Sequence, residues 1–174
     1  MNILPRQPDH FRVIGGDVPL QVQILANTPQ FAAKPAKVRG ARAQGIRYEA
    51  KVHEYMQHIF NGRYLPNPWF SFVDLNGQRW CQPDGLIIDL AKRLITIVEI
   101  KYSHTGEAWW KLKHLYLPVL RAYYGDAISY KLLEIVKWYD SGVIFPEHVL
   151  CSDTNKVPDL PNIGVHIYHP RGKR

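Results

Sequence analysis

The sequence predicts an α/β fold, a central mixed sheet of four to five strands flanked by helices, with elements ordered helix, three antiparallel strands, helix, strand. Three observations carry this. Apolar residues recur at helical spacing before Asn61-Gly62, β-prone runs follow on either side of Asn76-Gly77, and a second helical repeat precedes a further β-prone run. A chain of 174 residues with 46% hydrophobic content fits one domain, residues 1–174, with its own core. Its ends read as a Pro-rich basic arm (about 1–40) and a turn-rich extension (about 140–174).

The arm holds Pro5, Pro8, Pro19, Pro29 and Pro35, which argues against a long helix. Its stretch "VPLQVQIL" reads equally as an edge strand packed on the domain or as part of an arm that touches nucleic acid. In the first helix, Tyr48, Val52, Tyr55, Met56, Ile59 and Phe60 form the apolar repeat, and Asn61-Gly62 ends it. Glu49 shares a side with Val52, Met56 and Phe60, so this carboxylate either stands at the rim of the core-facing stripe or is held there for a purpose.

In "WFSFVDLNGQRWCQ", Asn76-Gly77 supplies the positive φ angles of a tight hairpin turn. The second strand should bend or bulge at Pro83 and Gly85 and continue into "LIIDL". Ala91-Lys92-Arg93 turns the chain into "LITIVEIK". The segment "GEAWWKLKHLYLPVLRAYYG" is a helix that Pro118 should kink, "AISYKLLEIVKWYD" a fourth strand, and "GVHIYH" a short strand before the basic tail "RGKR".

A turn centred near Lys92 sets Asp84 opposite Glu99 to within one residue. Opposed carboxylates destabilise a sheet and resist ionising together, so something positive should compensate. A divalent cation, magnesium or manganese with several waters retained, is the economical candidate. Period-two alternation puts Lys101 on the face of Glu99 and turns Ile100 the other way.

Lys and Arg outnumber Asp and Glu by 22 to 15, a net charge of +7, which favours a polyanionic partner over an acidic protein or a neutral metabolite. The two cysteines, Cys81 and Cys151, are too few for a disulfide framework and lack zinc-ligand spacing. No leader pattern and no apolar run of roughly 18 residues is present, so the expectation is a soluble, cytoplasmic protein with no membrane partner. His53 with His58, and His166 with His169, do not share faces and are set aside as metal pairs. Gly15-Gly16 and Ser141-Gly142 lack the flanks of a phosphate loop or nucleophile elbow, and of Trp109-Trp110 at least one ring should pack in the core.

Pro83-Asp84, then Glu99-Ile100-Lys101 at the end of an apolar strand, with Glu49 in "GIRYEAKVHEYM", resembles the PD-(D/E)XK nuclease superfamily over about residues 41–136. The resemblance implies a restriction-endonuclease-like core and a Mg2+-dependent deoxyribonuclease, with Mn2+ able to substitute. Asp84, Glu99 and the Ile100 carbonyl would hold the metal, Lys101 would orient and activate the attacking water, and Glu49 would assist at a second metal or through water. In-line attack would leave a 5′-phosphate and a 3′-hydroxyl. Members that act on DNA ends often carry a Gln and then a Tyr on the following helix; here that helix reads "WWKLKHLYLPVL". An endonuclease of structural or weak sequence selectivity is therefore favoured, with an exonuclease and a non-catalytic nucleic-acid-binding protein as rivals. Lys111, Lys113 and His114, with Arg42 and Arg47 of the first helix, are the candidate contacts to DNA phosphates. Such nucleases are frequent in phages and mobile elements, and many dimerise; no stretch declares a dimer interface, so monomer and homodimer both stay open.

Overall fold

The computed structural model describes residues 9–15, 19–32, 38–103 and 105–138, with the backbone of two further strands at 150–151 and 163–167. The tail "RGKR", the Ser141-Gly142 and Gly15-Gly16 turns in whole or part, and most of the two terminal extensions lie outside the described residues.

The architecture is α/β. A mixed six-stranded sheet has the order β2-β5-β6-β7-β9-β8, and a separate antiparallel sheet has the order β1-β3-β4. The strands are β1 Gln21–Leu25, β2 Tyr64–Pro66, β3 Trp69–Asp74, β4 Gly77–Cys81, β5 Gly85–Asp89, β6 Leu94–Ser103, β7 Ser129–Trp138, β8 Leu150–Cys151 and β9 Ile163–Ile167. Helix α1 is Gly40–Phe60; α2 (Gly106–Lys111) runs through a π-helical stretch, Leu112–Tyr116, into α3 (Leu117–Tyr124).

The expected single sheet of four to five strands is thus two sheets, and the division falls at Gln82–Asp84. The hairpin forms, but its two loop residues are Leu75 and Asn76: Asp74 pairs with Gly77, and of the expected Asn76-Gly77 pair only Gly77 takes a positive φ, +89°. Pro83 has no N–H to give a ladder, so β4 ends at Cys81 and the chain passes into the larger sheet at Gly85. Two bonds pin the bend: the Asn67 N–H donates to the Asp84 carbonyl at 2.9 Å, and Gln82 Nε2 to the Asn67 carbonyl at 3.1 Å. The stretch "VPLQVQIL" contributes β1, an edge strand on β3, as one of its two readings had it.

Two apolar clusters cover opposite faces of the large sheet. Tyr48, Val52 and Met56 of α1 pack on Val98, Ile100 and Ile135; Tyr55 and Ile59, counted in the helical repeat, remain exposed. Leu112, Leu115, Val119 and Leu120 pack with Ile95, Ile97 and Leu132 on the other face, joined by Phe70 and Phe72 of the small sheet. Strand alternation makes this division: Ile95, Ile97, Glu99 and Lys101 face the α2–α3 side, Val98 and Ile100 the α1 side.

Pro118 acts differently from a simple kink. It cannot donate to the His114 carbonyl four residues back, and that carbonyl instead accepts the Val13 N–H of the arm at 2.8 Å. The helix relaxes into a π turn just ahead of the proline, with the Leu117 N–H bonded to the Leu112 carbonyl.

Gly85 sits where β5 pairs with Pro66 of β2, and a Cβ built there would overlap the ring and hydroxyl of Tyr64. Gly85→Ala should therefore overpack the strand next to Asp84, destabilising the protein by about 1–3 kcal/mol. At roughly 2–4 °C per kcal/mol for a chain of this size, thermal unfolding by circular dichroism would read the loss, and an unchanged midpoint would refute the close approach.

Candidate active site

The site forms just before the start of β5, where β6 runs on past it. The last ladder pair is Gly85 with Val98, which continues to Asp84 opposite Glu99, the register expected from the turn near Lys92. Asp84 Oδ2 accepts the Ile100 N–H at 2.5 Å, so the carboxylate caps the edge that β5 leaves unpaired. In an antiparallel strand a residue's N–H and C=O project to the same edge, which turns the Ile100 carbonyl toward the Asp84 side as well.

Glu99 is 1% exposed, and its Oε1 is 2.8 Å from Lys101 Nζ and 3.6 Å from Lys111 Nζ. Its other oxygen, Oε2, is buried without a hydrogen-bond partner. Burial first, and then the neighbouring Glu99, hold the Asp84 carboxyl well above its ordinary range; the Ile100 N–H and Lys101 oppose the rise, and Glu49 adds to it. Burial disfavours the charge on Lys101, but Glu99, Asp84 and Glu107 outweigh it and keep the ammonium above its usual value. Tyr116 is buried, donates its hydroxyl to the Gln82 carbonyl at 3.2 Å, and is pushed up by burial, Glu99 and Asp84.

The arrangement fits a divalent cation. A buried carboxylate oxygen with no donor, beside a second carboxylate that resists ionising, is short of positive charge on that side. Among the described residues no three His, Cys, Asp or Glu side chains gather closely enough to hold a metal by themselves. A cation held by Asp84, Glu99 and the Ile100 carbonyl would keep several waters, as magnesium prefers.

Glu49 stands apart from this pair. Its side chain is 37% exposed at the rim of α1, 3.5 Å from His53, and it acts on Asp84 and Tyr64 through its charge. His53 bridges Tyr64, Nδ1 to hydroxyl at 2.8 Å, and Asn67, Nε2 to amide nitrogen at 3.2 Å. His53 thus ties Glu49 to the bend that carries Asp84. Its place four residues after Glu49 on one helix face was the available signal, and pairing it with His58 missed it.

The proposed phosphate contacts divide. Arg42 and Arg47 are exposed on the first half of α1. Lys113 lies over the Trp109 ring at 5.0 Å, and the His114 ring is 4.2 Å from that of Trp110. Trp109 is itself buried, as expected of one member of the pair. Lys111 turns inward, 2.7 Å from Glu107 and 4.9 Å from the Phe11 ring centroid. Glu134, unremarked in the sequence, is buried on β7 in register with Glu99 and therefore on the same face.

No protein-family model, curated protein or solved structure matches this chain. The site therefore has to be read from its own geometry. Among the described residues no helix is long and apolar enough to cross a membrane.

Proposed function

We propose that the protein is a Mg2+-dependent deoxyribonuclease on a restriction-endonuclease-like core, acting as an endonuclease of structural or weak sequence selectivity. The observation that carries this reading is the pairing of Asp84 with Glu99, one of whose oxygens is orphaned and the other bound to Lys101. The passage from α1 through the antiparallel strands β5 and β6 to a helix and the parallel strand β7 also supports it.

Asp84, Glu99 and the Ile100 carbonyl would hold the cation, with Glu49 reaching it through water. When bound, the ion would lower the pKa of a coordinated water and offset the charge that develops on the phosphate. Lys101 enters the reaction as an ammonium, given what holds its proton. It therefore orients the attacking water by donating to its oxygen, while the water's proton passes to solvent. The new P–O bond forms in line with the bond to the 3′ oxygen, which breaks; the 3′ oxygen takes a proton from solvent, leaving a 3′-hydroxyl and a 5′-phosphate. The net charge of +7, with Arg42 and Arg47 exposed near Glu49 on α1, supplies salt-sensitive attraction to the DNA backbone.

The test is cleavage of supercoiled plasmid and single-stranded circular DNA with magnesium, manganese or chelator, comparing the natural protein with Lys101→Ala and Asp84→Ala. Metal-dependent nicking lost in both variants is the expected result. Cutting of linear DNA alone would replace the endonuclease by an exonuclease, and binding with no cutting by a nucleic-acid-binding protein.

A further inference from the structure

Lys111 is placed between two carboxylates, with Glu107 Oε1 at 2.7 Å and Glu99 Oε1 at 3.6 Å. Glu99 Oε1 already has the Lys101 ammonium at 2.8 Å, yet Lys111 Nζ approaches the same oxygen at 3.6 Å while Oε2 has no donor. Two ammonium groups beside one carboxylate oxygen repel each other, and a further anion between them would relieve that repulsion.

The lysine is also held still. Its side chain is 18% exposed, with Glu107 at 2.7 Å and the Phe11 ring of the arm at 4.9 Å, so its ordering entropy is spent before any ligand arrives. The helix is deformed in keeping with this. Lys111 and Tyr116 both border Glu99. Positions five apart on a regular α-helix diverge by about 140°. The π turn between them, with its Leu117 to Leu112 bond, brings five-residue neighbours onto one side. Tyr116 secures the bend before Asp84 through Gln82, and the same turn leaves Lys111 aimed at the carboxylate pair.

We propose that Lys111 is a second catalytic cation of this site, directed by the π-helical turn onto a non-bridging oxygen of the scissile phosphodiester. Lys101 serves the attacking water; Lys111 takes the charge that grows on the phosphoryl oxygens; Glu107 is a positioning residue that holds Lys111 in place. This inference rests on the nuclease reading and assigns the space beside Lys111 and the Asp84–Glu99 pair to the scissile phosphate.

The experiment compares Lys111→Gln, Lys111→Arg and Glu107→Gln with the natural protein and with Lys92→Gln, whose side chain is 74% exposed at the far end of the β5–β6 hairpin. Single-turnover cleavage of a linear duplex in magnesium is measured with saturating protein, and affinity for the same duplex is measured in chelator. Lys111→Gln should cut about 10²–10³-fold more slowly, the scale of losing one transition-state donor, while metal-free affinity stays within about threefold. Lys111→Arg should recover part of the rate, and Glu107→Gln should lose about tenfold in the single-turnover rate with metal-free affinity unchanged. Cleavage by Lys111→Gln within about threefold of the natural rate, or a loss that tracks DNA affinity alone, would overturn the inference. If Lys111→Gln does not fold, full natural rates in both Lys111→Arg and Glu107→Gln would overturn it instead. A natural protein that cuts no DNA would sink the nuclease reading as a whole; one that cuts while Lys111→Gln cuts equally sinks this inference alone.

Discussion

Asp84→Asn is expected to abolish metal-dependent cleavage and, in chelator, to make the protein more heat-stable above neutral pH. Asp84 carries a carboxyl raised by burial and by Glu99, so folding favours its protonated form. A folded pKa above the unfolded one means the folded state binds more protons between the two. The stabilising contribution is then complete below the ordinary carboxylate range and is lost as pH rises through the raised value. Asparagine removes the charge and keeps an oxygen for the Ile100 N–H, so its advantage should grow with pH and vanish toward acid. Magnesium should raise the midpoint of the natural protein and leave that of Asp84→Asn unmoved, because only a folded state that binds the ion is stabilised by it. Melting curves across pH, with and without magnesium, measure both effects. A variant less stable than the natural protein at alkaline pH would refute the electrostatic account.

Glu99→Gln should also lose cleavage, with the opposite effect on stability. Glu99 is the shared partner of Lys101 and Lys111, and removing its charge leaves Lys101 partly buried beside a neutral amide. Breaking a buried pair from one side destabilises by about 3–5 kcal/mol. Lys111 retains Glu107, so the smaller figure is expected, and a midpoint lower by at least about 6 °C follows at neutral pH. Two members of one carboxylate pair thus shift stability in opposite directions, which a purely packing account of the site would not produce. Equal midpoints for the two variants at pH 8 would remove the basis for it.

The core of the candidate site was legible because its geometry is local. Asn76-Gly77 demanded a hairpin turn, and the turn at Ala91–Arg93 fixed the register that brings Asp84 across from Glu99. Alternation then required Lys101 on the Glu99 side and Ile100 on the other, where they are found. Glu49 at the rim of α1 followed from helical spacing in the same way.

What lay beyond the sequence depends on contacts between distant segments. Glu134 stands beside Glu99 only because β7 returns parallel to β6 after the helical crossover, a register no local turn specifies. The arm meets the helix because Pro118 frees the His114 carbonyl and Val13, about a hundred positions earlier, supplies the donor. Pro118 announced an irregular helix, but the choice of a π turn over a kink, and with it the inward aim of Lys111, is made by packing against β6 and the arm. The sequence by itself determined the carboxylate pair and its lysine, since period and turn chemistry act over a few residues. The tertiary structure decided which of the remaining cations and carboxylates join them, because only packing brings segments tens of residues apart within reach of one another's charge.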